Sequence, residues 1–341
     1  MEKEALFYEI VKENYVKCNL CYRHCVIPNN RRGFCKAREN KNGKLYAINY
    51  NKICSVAIDP IEKKPLFNYY PNSSVLSLAT GGCNFSCKHC QNWQISQYPP
   101  DKILYNELYP NDIVNLANKY SCNGIAYTYT EPTIFYEIMK DTIDIINNSS
   151  DINIKNLYNV MVTNGYIEKE PLKQLGINGM NIDIKGNEKF YKDICFAHLE
   201  TVLETAILAK KLGIHLEITN LIIPTYNDNI EDIKFIVEFV KDKLGKDTPL
   251  HFSAFYPTYK LTKVPPTPKE TILLAKKIAE EEGLHYVYTG NIINGDENTY
   301  CPNCGEIVIK REKYNVININ LIKENNIVKC GNCRTKLNII L

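Results

Sequence analysis

Cys83–Asn84–Phe85–Ser86–Cys87–Lys88–His89–Cys90 is the stretch on which the rest of the chain depends. Its three cysteines stand in a C-x3-C-x2-C arrangement. Gly81–Gly82 forms a turn before them, and the apolar run 74–79 reads as a buried strand. Three thiolates on one tight loop can hold three irons of a 4Fe–4S cluster, which takes four ligands. The fourth iron is then open to a small molecule.

Outward from this loop, short apolar runs alternate with longer helical patterns. They predict strands at 74–79, 124–129, 158–163, 179–184, 214–222, 249–254 and 284–289. Helices are expected at 112–120, 133–147, 168–175, 199–212, 229–244 and 268–282. In the helix at 199–212, Val202, Ala206 and Ala209 share a face, with Leu203 and Leu212 as further candidates for it. The helix at 268–282 has Pro268 at its start and Gly283 past its end, the usual asymmetry of helix termini. Repeated βα units imply a parallel sheet with right-handed crossovers. The expected fold class is α/β: a partial, open TIM-like barrel of six or seven parallel βα units over 72–295.

The two ends depart from that pattern. Residues 1–71 form a cysteine-rich N-terminal domain, opening with an expected amphipathic helix over 1–16. Cys18, Cys21, Cys25 and Cys35 follow with the spacing C-x2-C-x3-C-x9-C. Four such thiols suit one tetrahedral zinc, the preferred reading, or a second Fe–S cluster; unligated thiols are the plain alternative. A turn at 41–44 and a strand at 45–50 suggest a hairpin, and Pro60, Pro65 and Pro71 mark a boundary. Residues 296–341 carry two C-x2-C knuckles, Cys301 with Cys304 and Cys330 with Cys333, separated by 25 residues. That pattern reads as a structural zinc ribbon, since a closed four-cysteine site leaves no position for chemistry.

Eleven of the 14 cysteines fall in these three groups. Short clustered spacings without an export signal read as metal sites rather than disulfides. Cys54, Cys122 and Cys195 are read as small buried apolar residues. With 341 residues, 45% of them hydrophobic, the chain can bury a full core across two or more domains. A net charge of +3 without a long basic run gives no electrostatic argument for nucleic acid. No run of about 18 apolar residues predicts a membrane span. Glu2, Glu4, Glu9 and Glu13 make the N-terminus unlike a secretory signal, so a cytoplasmic location is expected.

In a βα barrel, chemistry collects where strands end. After the first strand stand the three cysteines; after the second comes Thr128–Tyr129–Thr130–Glu131; after the third, Thr163–Asn164–Gly165. The fourth ends in Asp183–Ile184–Lys185, and the fifth carries Glu217 and Thr219. Such residues suit a zwitterionic, ribose-bearing cofactor: Lys185 for its carboxylate, and Asp183, Glu131 or Thr219 as acceptors. Glu131 before Pro132 also suits a helix cap. Asp183 and Lys185 alternate along a strand, so both face one side, where they form either a site or a surface ion pair. The cofactor-binding candidates are Glu131, Asn164, Asp183, Lys185, Thr219 and His89. Trp93 is expected to pack under the loop.

The cysteine loop resembles the signature of the radical S-adenosylmethionine (SAM) superfamily. Asp183–Ile184–Lys185 resembles the D-x-K strand of pyruvate formate-lyase activating enzymes, in which the pair contacts SAM. The Cys18–Cys35 pattern, Cys90–Gln91–Asn92–Trp93–Gln94–Ile95–Ser96, Tyr129–Thr130–Glu131–Pro132–Thr133, Ser253–Ala254–Phe255–Tyr256–Pro257, Tyr288–Thr289–Gly290–Asn291 and Cys301–Pro302–Asn303–Cys304–Gly305 are similar to the AmmeMemoRadiSam-system enzymes. The likeness runs from about residue 15 to 310. There are two departures. Many members carry Gly-Gly-Glu after the second strand, where Thr128–Tyr129–Thr130–Glu131 stands here, and an aromatic residue beside the adenine where His89 stands here.

The resemblance implies a 4Fe–4S cluster on Cys83, Cys87 and Cys90 and reductive cleavage of SAM to a 5′-deoxyadenosyl radical. That radical would abstract hydrogen from a protein or small-molecule substrate, with activation of a glycyl-radical enzyme as one version. A ferredoxin or flavodoxin as reductant and a Memo-like protein partner are implied too. The alternative from a different class is a non-catalytic Fe–S and zinc metalloprotein, acting as electron carrier or docking scaffold.

Overall fold

A computed structural model describes residues 3–341. Its centre is a run of strands too apolar for either face to meet water, the pattern of a parallel sheet covered by helices. These are β1 (Ser74–Thr80), β2 (Gly124–Tyr127), β3 (Tyr158–Thr163), β4 (Gly179–Asp183), β5 (His215–Ile222), β6 (Leu250–Ala254) and β7 (Val287–Gly290). All seven run parallel in sequence order. Lys52–Pro60 pairs antiparallel to β1, and Asn106–Glu107 pairs with that strand in turn. β7 and Asn106–Glu107 are the free edges, so the sheet is open, as expected of a partial barrel.

Six helices cover it: α1 (Pro110–Lys119), α2 (Tyr136–Asn147), α3 (Lys169–Leu175), α4 (Leu199–Lys211), α5 (Ile230–Phe239) and α6 (Lys269–Glu281). Their ends follow local chemistry. The Tyr109 amide donates to Asp112 Oδ2 at 2.9 Å ahead of α1, and the Asp232 amide donates to Asn229 Oδ1 at 2.8 Å to start α5. Val202, Ala206 and Ala209 of α4 are fully buried, as their spacing requires. Two expected helices are split. Pro132–Phe135 is a 3-10 turn before α2, and Val240–Leu244 is a π-helical turn after α5.

The expected helix over 1–16 is not formed. Residues 1 and 2 lie outside the described residues; strands Lys3–Glu4, Tyr8–Lys12 and Tyr15–Cys18 occupy the rest. Val16 and Cys18 are buried while Tyr15 and Lys17 are not, a period of two that the apolar count concealed. Asn14, at φ 60°, turns the hairpin. The expected hairpin around 41–44 is present, Arg38–Lys41 pairing antiparallel with Lys44–Ala47.

The segment 61–70 crosses the N-terminal halves of β4 to β7. Asn181 Nδ2 donates to the Pro65 carbonyl at 2.8 Å, and the Tyr288 hydroxyl donates to Asn68 Oδ1 at 2.7 Å. Glu217 is the centre of this floor. Its carboxylate accepts from the Phe67 and Asn68 amides at 3.0 and 2.8 Å and meets His215 and His251 Nε2 at 2.9 and 2.7 Å. Short antiparallel strands of the C-terminal segment dock beneath. Arg311, fully enclosed, donates to the Phe67 carbonyl at 2.7 Å and to Thr299 Oγ1 at 2.8 Å. This segment has its own small core, which includes Cys301, Val308, Val328 and Cys330.

Candidate cofactor site at the strand ends

The floor closes one end of the barrel, and a cavity opens at the other. It offers about 290 Å³ to the centre of a water-sized sphere. Cys83, Cys87, His89, Cys90, Glu131, Asn164, Asp183, Lys185 and Thr219 all line it. These nine residues come from five separate strand ends.

The cysteine loop leaves β1 through Gly81 and Gly82. Gly82 has φ 99°, and a Cβ there would stand 2.4 Å from the Cys35 carbonyl oxygen, so only glycine lets the N-terminal unit pack so close. The loop is then pinned from several sides. The Ser86 and Lys88 amides donate to the carbonyls of Cys195 and Ile194 at 3.3 and 3.0 Å. Arg23 Nε donates to the Asn84 carbonyl at 2.8 Å. Asn84 in turn donates to the Tyr166 carbonyl at 3.0 Å and accepts from Asn164 Nδ2 at 2.8 Å.

The thiols do not share one ionisation behaviour. Burial, with Glu131 adding to it, pushes Cys83 well above the ordinary thiol range. Cys87 is held below that range by a hydrogen bond from Cys195, then by Lys185. Cys195 is buried as expected, but its sulfur lies within 4.8 Å of both Cys87 Sγ and a ring nitrogen of His89. Burial brings His89 down to about 3, with Lys185 assisting, so the ring is neutral at ordinary pH.

Asp183 and Lys185 meet at 2.7 Å, and both face the cavity. Burial works against the Lys185 charge, yet Asp183 and then Cys87 hold its pKa above the usual value. Glu131 is enclosed, and burial raises it against its hydrogen bonds. Its Oε1 accepts from the Thr133 amide and from the hydroxyls of Thr133 and Thr163 at 3.0, 2.6 and 2.7 Å. Its Oε2 accepts from the Asn164 amide at 2.8 Å. That is the capping reading of Glu131, and it leaves room for a further donor at Oε2 only. Beside it, Tyr129 takes a left-handed φ of 64°, uncommon for an aromatic residue, where the resembled family uses glycine.

A sequence profile described as the Radical SAM superfamily matches residues 77–240. The chain belongs to the radical SAM superfamily. This radical SAM chain is 58% identical over 340 residues to the uncharacterized protein MJ0808 of Methanocaldococcus jannaschii, covering 99% of this chain and 100% of the relative. It is 26% identical over 221 residues to a candidate glycyl-radical enzyme activating enzyme of the same organism, MJ1632, covering 63% of this chain and 80% of the relative. Among solved structures, a radical SAM methyltransferase from Sphaerobacter thermophilus has a TM-score of 0.49 at 12% identity, over 64% of this chain and 67% of that one. Members of the superfamily are enzymes, which sets aside the scaffold alternative.

The residues present fit the radical SAM cofactors. Three thiols line one wall of the cavity, and the Thr219 hydroxyl and His89 Nδ1 are buried on its lining with no partner of their own. Such atoms are costly to leave unsatisfied and mark where a ligand binds. Trp93 is half-buried and stacks on Tyr259, with ring centroids 5.2 Å apart, where the Lys260 amide donates to the Lys88 carbonyl of the loop at 3.0 Å.

Two features of this radical SAM site escaped the sequence. Asn84 stands among the spacers of the cysteine motif, where identity reads as filler. Lys63 and Lys64 line the cavity itself, from a stretch whose prolines mark a boundary. Both reach Asp59, at 2.8 and 2.6 Å, and the Tyr129 hydroxyl donates to the same carboxylate at 2.5 Å.

Proposed function

We propose that the chain is a radical SAM enzyme that acts on a protein or small-molecule substrate, with activation of a glycyl-radical enzyme as the leading version. The observation that carries the reading is the gathering of the three loop thiols, the Asp183–Lys185 pair and two partnerless polar atoms on one cavity. The likeness to MJ1632 supports the activating-enzyme version.

When bound, the cluster and SAM together supply a one-electron cleavage that yields a 5′-deoxyadenosyl radical able to take hydrogen from a substrate. Cys83, Cys87 and Cys90 would hold the cluster. Lys185, oriented by Asp183, would hold the SAM carboxylate, and the backbone turn at 128–130 its amino group. Thr219 and Asp183 would accept from the ribose, and neutral His89 would lie against the adenine. Asn164, at the end of β3, braces the loop through Asn84, and Glu131 in turn holds the Asn164 amide. The buried walls exclude water from a site where a radical would otherwise be quenched. Zinc on Cys301, Cys304, Cys330 and Cys333, a ferredoxin or flavodoxin as reductant and a Memo-like protein partner complete the proposal.

Protein reconstituted without oxygen and reduced with dithionite is expected to turn SAM into 5′-deoxyadenosine. A Cys87→Ala variant should lose that product along with the cluster absorbance. A cluster-loaded wild type that never cleaves SAM would defeat the reading.

A further inference from the structure

The N-terminal thiols Cys18, Cys21, Cys25 and Cys35 take no part in the site described above. They line a second, nearly closed void with about 10 Å³ open to the centre of a water-sized sphere. The C-terminal thiols supply an internal standard for zinc. A Zn–S bond of about 2.3 Å places tetrahedral ligand sulfurs about 3.8 Å apart. Cys301 and Cys333 Sγ are 3.6 Å apart, Cys304 and Cys330 Sγ 3.8 Å, and all four lie within 4.8 Å of one another.

The N-terminal thiols do not meet that standard. Among the described residues, the sets with all ligand atoms within 4.8 Å are the C-terminal four and Cys87, His89 and Cys195. The four N-terminal sulfurs instead stand around a hollow, as sulfurs do when each binds a different iron of one cube. Leu20, Ile27 and Ile134 wall the hollow beside the four sulfurs.

A cube with four thiolates is anionic, and the same hollow supplies cationic donors. Arg38 lines it and is fully buried. Its Nη2 is engaged by both Glu137 oxygens at 2.9 and 2.7 Å, while its Nε and Nη1 have no partner. Two buried guanidinium donors left free at the rim of four thiols are what cluster sulfurs would accept from. The Phe34 amide points at Cys25 Sγ from 3.5 Å. We propose that Cys18, Cys21, Cys25 and Cys35 hold a second 4Fe–4S cluster, with Arg38 donating to its sulfurs, in place of the zinc that their spacing first suggests. It would stand across Gly82–Asn84 from the first cluster, since Asn84 lines this hollow and Cys35 packs on Gly82.

Anaerobic reconstitution of the full chain with iron and sulfide, followed by metal and sulfide analysis, tests this. The wild type should carry about eight irons and eight sulfides with about one zinc, at four irons per cubane. The triple variant Cys83→Ala/Cys87→Ala/Cys90→Ala should keep about four of each, with the electron paramagnetic resonance signal of a reduced cubane. A Cys21→Ser/Cys35→Ser variant should lose that remainder. The proposal fails if the triple variant carries two zincs and no iron, or a single iron without sulfide. It fails equally if the wild type stops at about four irons. The triple variant isolates this site, so its result stands whether or not the chain cleaves SAM.

Discussion

Asn164 donates its side-chain amide to Asn84 Oδ1 at 2.8 Å, tying the end of β3 to the cysteine loop. Both residues are buried, and Asn84 also holds the Tyr166 carbonyl. Asn84→Ala would strand two buried groups, each costing about 1–3 kcal/mol. We expect a lower denaturant midpoint and faster loss of cluster absorbance on dilution into chelator. Cluster loss at the wild-type rate would show that the bond does not brace the loop.

Lys185 is the cation proposed to meet the SAM carboxylate. A charge-assisted hydrogen bond is worth about 1.5–3 kcal/mol, so Lys185→Met should weaken SAM binding by roughly ten- to a hundredfold. Equilibrium binding to the cluster-loaded protein measures this, with iron content as the control. An unchanged Kd at full iron loading contradicts the assignment.

Glu217 gives a prediction in acid. Burial alone would raise its carboxyl, but His215 and then His251 bring it down from 4.5 to about 2. A depressed acid contributes stability that is complete above its unfolded pKa and is lost as pH falls through the folded value. The window is therefore from pH 4.5 down to about 2, and the amount is about 3 kcal/mol. Urea unfolding across that range should show a slope that Glu217→Gln flattens. The same variant should be less stable at pH 7, because four donors then face a single amide oxygen.

The C-terminal thiols should hold one tightly bound zinc. Cys304→Ser should release it and lower the unfolding temperature, because strands Ile307–Glu312 and Ile327–Cys330 belong to the small core that the thiols close. Zinc analysis before and after chelation checks this, and wild-type protein containing no zinc contradicts it.

The barrel was legible because its strands are apolar on both faces and its helices carry strong ends. Asp183 and Lys185 were legible because alternation along a strand fixes a shared side. The N-terminal strands were not. In the first 16 residues, apolar and charged side chains satisfy helical and strand periods alike, and only the φ of Asn14 decides between them. Cys195 could not be read as a neighbour of Cys87, since 108 positions separate them and the loop's backbone bonds to Ile194 and Cys195 bring them together. Nor does a spacing of four cysteines say how wide a ring they form. That depends on Leu20, Ile27 and Ile134 holding the hollow open.

The close approach of Gly82 to Cys35 bears on how this protein can be cut and recombined. The contact is backbone against backbone, and Ile134 sits over it at 3.2 Å from where a Cβ would be. A graft that keeps the barrel and swaps the cysteine-rich unit would have to reproduce a main-chain surface, which side-chain redesign cannot supply. The barrel and its N-terminal unit are therefore one inheritable part: chimeras joined near residue 72 should fail, and the two pieces should diverge together.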